Sequence, residues 1–109
     1  IKFENKIFTT KEIDRFNQIN SDNTMKSFYA KRFAAKEAFS KALGLGIGRG
    51  IDFKDIEIDN DELGKPFINI VNDKENFIKQ HFKVDDYLIH LSLSDDADSA
   101  LAMVTISTL

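Results

Sequence analysis

Residues 32–50, RFAAKEAFSKALGLGIGRG, predict the second half of a helix that ends in a glycine-rich loop. Glu37 and Lys41 are four residues apart, so on a helix their side chains point the same way, with Ser40 beside them. The opposite face is apolar and contains small alanines that let another element approach closely; it comprises Phe28, Ala35, Phe39 and Ala42. One side of the helix is therefore predicted to pack, while the other presents a carboxylate and an ammonium.

The composition is that of one globular domain. The 109 residues are 42% hydrophobic and 30% charged, with ten phenylalanines and one proline, and a chain of this length buries one core but not two. The absence of cysteine excludes a disulfide framework and a thiolate metal site. There is no apolar run of membrane-spanning length and no signal peptide, so we predict a cytoplasmic protein that does not associate with membranes.

The net charge of −3 is unevenly distributed along the chain. Residues 24–50 contain six cations and one acid, a balance of +5, whereas residues 51–109 contain thirteen acids and five lysines, a balance of −8. The central helix and its loop form a positively charged region suited to phosphate groups or an acidic partner. A solvated basic helix face is the alternative. The acidic remainder would repel a long polyanion, so nucleic acid is not a predicted partner.

Two helices are predicted in the first half of the chain. The first is capped by Thr9 or Thr10 and ends near the turn-forming residues 20–23. The second is longer, starts around Thr24 and ends at Gly44, which we expect to form a left-handed cap.

The second half is predicted to be mostly strands, in an α+β fold whose largely antiparallel sheet packs against the long central helix. A third helix, capped by Asn72 or Asp73, is expected to run to about Phe82. The strands form two hairpins, the first from residues 51–59 and 66–70 and the second from residues 87–94 and 100–107, which an acidic turn at residues 95–99 joins.

The four glycines at 44, 46, 48 and 50 follow the central helix. Glycine loops that bind phosphate in the common nucleotide folds precede a helix, whose N-terminus then faces the anion. The reversed order argues against a P-loop and against a dinucleotide fingerprint. The loop still lets backbone approach a ligand closely, and it carries Arg49. A purely conformational role is the alternative.

A family resemblance rests on three segments of the chain. The run RFAAKEAFSKALGLGIGRGIDFKDIEI at residues 32–58, the Gly64-Lys65-Pro66 tripeptide and the serine-bearing strand at residues 91–94 resemble the bacterial holo-acyl-carrier-protein synthases. These small phosphopantetheinyl transferases install the arm of coenzyme A on a serine of acyl carrier protein. The resemblance implies a single domain of this fold over residues 1–109, with its N-terminal strand missing, and a homotrimer with active sites between neighbouring subunits.

The resemblance also implies roles for individual residues. Coenzyme A would be the donor and magnesium the cofactor, and the products would be holo carrier protein, used in fatty acid biosynthesis, and adenosine 3',5'-bisphosphate. Glu37 would be the metal ligand and a catalytic residue. Lys41 would be catalytic, by stabilising phosphate charge or by assisting transfer of the serine proton. The implied coenzyme A contacts are Arg32, Ser40, Gly44, Arg49, Lys65, Pro66 and Ser92. A surface ion pair is the alternative role for Glu37 and Lys41.

The sequence departs from the family pattern at two places. The family's second metal carboxylate, an aspartate in a glycine-x-aspartate stretch, lies on an N-terminal strand that this sequence does not contain. In addition, Asp95 stands where many members have a histidine. A carboxylate there would repel phosphate, so we expect Asp95 to cap a turn, bind a cation or point away. His81 and His90 are expected to be structural histidines.

Two functions other than transfer remain open from the sequence. One is a non-catalytic module of the same fold that binds coenzyme A or the carrier protein. The other is an interaction module whose basic helix docks an acidic protein. We also predict which side chains are buried and that Glu37 and Lys41 line a cleft; the predicted buried residues are Phe28, Phe39, Phe53, Ile56 and Leu91.

Overall fold

The computed structural model describes residues 6–96 and 99–109 and confirms the α+β class. Within residues 10–96 and 99–109 there are three helices and two hairpins, with a short 3-10 turn at Phe53–Asp55 between the long helix and the first strand. The elements are α1 (Thr10–Asn17), α2 (Asp22–Leu43), β1 (Ile56–Asn60), β2 (Pro66–Ile70), α3 (Glu75–Phe82), β3 (Tyr87–Asp96) and β4 (Ser99–Thr108).

The strands form two antiparallel hairpins. In the first, Ile56 lies opposite Ile70, and in the second, Tyr87 lies opposite Thr108. The predicted antiparallel sheet is thus two separate two-stranded ladders, of which β2 and β3 are spatial neighbours. Helix α2 packs chiefly against β4, with further contacts to β1 and β3. The acidic turn was predicted for residues 95–99, and its residues 97 and 98 lie outside the described residues.

Local side-chain chemistry accounts for the ends of α1 and α2. Thr9 and Glu12 form a capping box, in which each side chain accepts a hydrogen bond from the other residue's backbone N–H. Helix α2 begins at Asp22, two residues before the predicted start, because the Ser21 hydroxyl caps it. Gly44 has φ +80°, so the predicted left-handed cap is confirmed.

Other predicted boundaries were wrong. Helix α1 ends at Asn17, before the expected turn. Neither Asn72 nor Asp73 caps α3: both have left-handed backbone, with φ of 60° and 61°, and they make the turn that precedes the helix. Residues 53–55 do not continue β1 towards the N-terminus, since the backbone N–H of Asp52 donates to the Asp55 carboxylate at 2.8 Å and closes the 3-10 turn.

The core lies between α2, the first hairpin and α3, and one face of the second hairpin packs against it. Its buried members are Ala35, Phe39, Leu43, Ile51, Ile56, Ile58, Ile70 and Ile78. Of the residues predicted to be buried, Phe39 and Ile56 are, whereas Phe28, Phe53 and Leu91 are only partly buried. Phe53 packs on a neighbouring partly buried ring, Phe33, at 5.5 Å between centroids. No helix in the described residues is both long and apolar enough to cross a bilayer.

The glycine-rich loop has a packing requirement at one position. Gly50 has φ +101°, and a β-carbon there would lie 2.4 Å from the Phe77 ring. Any side chain would therefore have to displace the Phe77 ring and adopt a strained positive φ, which supports a conformational role for this glycine.

Candidate functional site

Lys36 lies inside the protein and has a full set of hydrogen-bond partners. Its side chain is 0% exposed, and Nζ donates to the Glu12 carboxylate at 2.7 Å, to the Phe53 carbonyl at 2.9 Å and to the Ile56 carbonyl. An ammonium has three N–H donors, so all are used. Burial lowers the pKa of Lys36, and the neighbouring Glu12 opposes that shift. The prediction of a basic helix face is wrong for this lysine.

Glu12 connects this lysine to the first strand and to the cap of α1. One of its carboxylate oxygens accepts from the Thr9 backbone N–H at 3.0 Å, and the other accepts from the Ile58 N–H at 3.0 Å. The Thr9 hydroxyl in turn donates to the Glu57 carboxylate at 2.7 Å. A single buried network therefore joins α1, α2 and β1.

Glu37 and Lys41 are exposed on the other side of α2. Glu37 directly follows Lys36, but consecutive helical residues are rotated by about 100°, which brings it out of the core. Among the described residues, no ion pair involves Glu37 or Lys41. Ser40 is buried, and its hydroxyl donates to the Glu37 carbonyl at 2.8 Å.

Glu37 has the chemistry of a magnesium ligand that acts together with a substrate. Within the described residues there is no cluster of three or more acidic or histidine side chains that would form a metal cage. Magnesium keeps several waters and is usually bound by one or two carboxylates plus substrate phosphates. A lone exposed carboxylate therefore fits magnesium that arrives with a phosphate ligand.

A charged cleft of about 570 Å³ lies between α2 and the first hairpin. Two of the residues predicted to contact coenzyme A, Arg32 and Pro66, line it together. Its other lining residues include the cations Arg15 and Lys31, the apolar Phe28 and Leu93, the last residue of β1, Asn60, and the loop residues Asp61, Glu62 and Gly64.

Arg32 is the buried cation of this cleft, with 5% of its surface exposed. Its guanidinium lies 3.7 Å from the centroid of the Phe28 ring, and Nη2 donates to the Asn60 side-chain oxygen at 2.7 Å. The buried Nε has no hydrogen-bond partner in the described part of the chain. Burial lowers the pKa of Arg32 to about 10, so the side chain stays charged at neutral pH. An unpaired buried donor is costly, so this arginine is held in place at some expense in stability.

Asp95 binds a cation, one of the three behaviours that its position in the sequence left open. Its carboxylate lies 3.0 Å from the Lys31 ammonium and accepts from the Ser27 hydroxyl at 3.3 Å. Both partners belong to α2, one turn apart, so this contact ties β3 to the N-terminal half of the long helix.

The remaining predicted contacts lie at several surfaces. Gly44 forms the cap of α2, and Arg49, Lys65 and Ser92 are exposed, on the glycine-rich loop, the β1–β2 loop and β3 respectively. His81 Nε2 lies 2.7 Å from the Leu43 carbonyl, as suits a structural histidine, and the structural role expected of His90 stays a prediction.

The predicted site residues divide between two sides of α2. Lys41 follows Arg32 by nine residues, which corresponds to about 180° around the helix and about 13 Å along it. The cleft with Arg32 therefore faces away from Glu37 and Lys41. One chain does not bring the two groups together.

Sequence reasoning missed two members of the charged cleft, Lys31 and Arg15. Lys31 directly precedes Arg32 and belongs to the basic segment 24–50. Nothing in the sequence indicates that Lys31 lines a cleft whereas Lys36 is buried in the core. Arg15 lies in the last turn of α1, and only the packing of that helix brings it to the cleft.

Known proteins resemble this chain over nearly its whole length. The family model described as the 4'-phosphopantetheinyl transferase superfamily matches residues 1–102. The holo-[acyl-carrier-protein] synthase of Wolbachia pipientis subsp. Culex pipiens (strain wPip) is 51% identical over 96% of this chain and 78% of its own length. That of Pelagibacter ubique (strain HTCC1062) is 40% identical over 95% of this chain and 79% of its own length.

Solved structures agree with these relatives. The holo-(acyl-carrier-protein) synthase from Bacillus anthracis str. Ames, in complex with CoA (3',5'-ADP), has a TM-score of 0.79 at 34% identity and covers 99% of this chain and 82% of its own. The Helicobacter pylori enzyme in complex with coenzyme A has a TM-score of 0.73 at 32% identity, over 97% of this chain and 82% of its own. The chain therefore belongs to the 4'-phosphopantetheinyl transferase superfamily and, within it, to the holo-[acyl-carrier-protein] synthases.

Proposed function

We propose that this protein transfers the 4'-phosphopantetheine arm of coenzyme A to a serine of apo acyl carrier protein, for use in fatty acid biosynthesis. The observation that carries the proposal is the cleft in which Arg32 and Pro66 meet, because Arg32, Lys31 and Arg15 line it with positive charge. A guanidinium is well suited to phosphate, and coenzyme A carries three phosphate groups.

The reaction needs positive charge at the nucleotide phosphates and at the reacting phosphoryl group. The serine oxygen forms a bond to the phosphorus that bears pantetheine, and the pyrophosphate P–O bond breaks. Adenosine 3',5'-bisphosphate leaves with the bridging oxygen and its electron pair. Arg32 holds the nucleotide phosphates, and Lys41 stabilises the negative charge that develops at the reacting phosphoryl group or assists in moving the serine proton. Arg49, Lys65 and Ser92 are proposed as further contacts to coenzyme A.

Glu37 would hold magnesium together with the substrate. Magnesium, when bound, neutralises pyrophosphate charge and so favours departure of the nucleotide. The carboxylate is exposed and, within the described residues, lacks an ion-pair partner, so it can bind a metal without first breaking an internal contact.

We also propose a homotrimer whose active sites lie between neighbouring copies. The division of the predicted residues between two sides of α2 supports this, because a second copy could place its Glu37 side against the Arg32 cleft. The outward face of the second hairpin offers an apolar surface for such contacts. It exposes Leu88, Leu101 and Met103 beside Ser92, and exposed apolar patches commonly mark interfaces.

The test is to incubate the protein with apo acyl carrier protein, coenzyme A and magnesium, and to follow the mass of the carrier. We expect a gain of one phosphopantetheine that is lost on chelation and that falls at least about 100-fold in Glu37→Ala. Glu75→Ala is the matched control, since it removes an exposed carboxylate from the first turn of α3. Native mass spectrometry of the same sample should show three copies of the 12.4 kDa chain.

Other outcomes distinguish the alternatives. Binding of coenzyme A with no change in carrier mass would indicate a non-catalytic module. Binding of the carrier alone would indicate an interaction module. A monomer that transfers at full rate would contradict the trimer and leave the activity in place.

A further inference from the structure

Lys31 lies at the rim of the charged cleft, where Asp95 holds it. The ammonium is 3.0 Å from the Asp95 carboxylate, and that carboxylate is also fixed by the Ser27 hydroxyl at 3.3 Å. Ser27 and Lys31 are separated by one helical turn, so they present adjacent groups to the same carboxylate. Asp95 therefore fixes the ammonium group of Lys31, while the helix fixes its backbone.

The ammonium keeps capacity for a second anion. It has three N–H donors, its side chain remains 30% exposed, and Lys31 lines the same cleft as Arg32 and Arg15. The acids of this cleft, Asp61 and Glu62, lie on the β1–β2 loop. Asp61 accepts backbone hydrogen bonds within that loop, from the Leu63 N–H at 2.9 Å and the Lys65 N–H at 2.8 Å.

We propose that Lys31 binds a phosphate group of the nucleotide half of coenzyme A, and that Asp95 is its positioning residue. The inference rests on the proposed function, which brings this ligand to the cleft. A free lysine side chain must be ordered when it binds phosphate, whereas a lysine already held by a carboxylate has lost most of that freedom beforehand. Arg32 lines the same cleft and supplies a second positive charge near that anion.

Asp95 has two opposing effects on such a ligand. The Asp95 carboxylate repels phosphate by its negative charge. It also fixes the Lys31 ammonium in a position from which that positive charge attracts phosphate. While the lysine is present, the second effect is expected to outweigh the first, because Lys31 lines the cleft and Asp95 is not among its lining residues. Without the lysine only repulsion remains. Removal of the Asp95 charge should therefore change binding in opposite directions in the two backgrounds.

The first experiment measures the affinity for 3',5'-ADP by isothermal titration calorimetry. Lys31→Met is expected to weaken binding about tenfold, the loss expected of one charge-assisted contact to phosphate. Lys26→Met is the matched control: it removes the same charge from the same helix, but Lys26 does not line the cleft with Arg32. An affinity within twofold of the unaltered protein, or an equal loss in both variants, would overturn the role of Lys31.

The second experiment tests whether Asp95 acts through Lys31. Asp95→Asn is expected to weaken 3',5'-ADP binding about threefold in the unaltered background and to strengthen it in the Lys31→Met background. A change of the same sign and size in both backgrounds would overturn the positioning role. Circular dichroism spectra of all variants should coincide with that of the unaltered protein.

These results separate the inference from the proposed function. If the unaltered protein transfers phosphopantetheine while Lys31→Met binds 3',5'-ADP normally, only the inference fails. If the calorimetric pattern holds but the carrier protein gains no mass, only the proposed transfer fails.

Discussion

Lys31 and Lys36 are five residues apart on one helix, yet they differ in almost every physical respect. Lys36 is completely buried, and its ammonium has three acceptors within the protein. Lys31 is partly exposed, and its ion-pair partner within the described residues is Asp95, whose side chain is 52% exposed. The same residue type is thus part of the core at one position and available to a ligand at the other. The difference lies in what faces each side chain.

The largest effect should come from breaking the buried contact. Lys36→Met keeps the side-chain volume but leaves the Glu12 carboxylate buried without its cation, and it removes the donor to two carbonyls. Removal of one partner of a buried ion pair costs about 3–5 kcal/mol. We expect a loss of that size in the free energy of unfolding, measured by urea denaturation.

Lys31→Met is the matched control for this measurement. It breaks a partly exposed ion pair, for which the expected loss is below about 1 kcal/mol. Equal losses in the two variants would show that burial does not distinguish the two lysines.

The second-largest loss of stability is expected at Thr9, an uncharged member of the buried network around Glu12. Thr9→Val keeps the side-chain shape but removes the acceptor for the Glu12 N–H and the donor to Glu57. Loss of a helix cap together with a buried hydrogen bond should cost about 2 kcal/mol, measured by the same denaturation. Thr10→Val changes an exposed threonine in the first turn and should cost much less. If the two valine variants are equally stable, the Thr9 hydroxyl has no such role.

The smallest effect belongs to an exposed contact, Lys11 with Asp59 at 2.7 Å. The hydrogen bond from Lys11 lowers the pKa of Asp59 below its ordinary 3.8. This contact therefore contributes stability above pH 3.8, and the contribution is lost as the pH falls through the lower value of the folded state. Lys11→Met should raise the pKa of Asp59 towards 3.8 in an NMR titration of the carboxyl carbons. Lys54→Met should leave it unchanged. The interaction is absent in solution if Asp59 titrates identically in all three proteins.

The elements that sequence predicted well have local causes. Gly44 ends α2 because a left-handed residue is needed there, and the alternation of β2, β3 and β4 requires only neighbouring residues. Predicted boundaries were wrong where the same residues suit two different local structures. Asn72 and Asp73 suit both a helix cap and a left-handed turn, and the packing of α3 on the core selects the turn.

The buried charge pair could not be predicted from local pattern. A helical pattern assigns lysine to the solvent face, and Lys36 is buried only because Glu12, 24 residues earlier, comes to meet it. The Thr9–Glu12 spacing indicates a helix cap in the sequence, but the cap uses only one of the two carboxylate oxygens of Glu12. The hydrogen bonds that the carboxylate accepts from Lys36 and Ile58 depend on tertiary structure.

The residues of the candidate site come from the family signature and their roles remain predictions, whereas their surroundings could not be predicted from the sequence. The family signature indicated Arg32, Glu37 and Lys41 as functional residues. Their places in the molecule became clear from packing: Arg32 is buried in a cleft, whereas the other two are exposed on the far side of the helix. Asp95 was expected to disfavour phosphate by its charge, and the structure supplies the compensating Lys31.

The adjacency of Lys36 and Glu37 has a mechanical consequence. Because the Lys36 ammonium is held by acceptors on α1, on the 3-10 turn and on β1, a turn of α2 about its own axis would strain these contacts. A roll of about 10° would move a side-chain end some 6 Å from the axis by roughly 1 Å, and a misplacement of about 1 Å can lower an enzymatic rate about 100-fold. The buried lysine thus sets the angular position of the neighbouring carboxylate, and with it the direction in which the proposed metal ligand faces an adjoining copy.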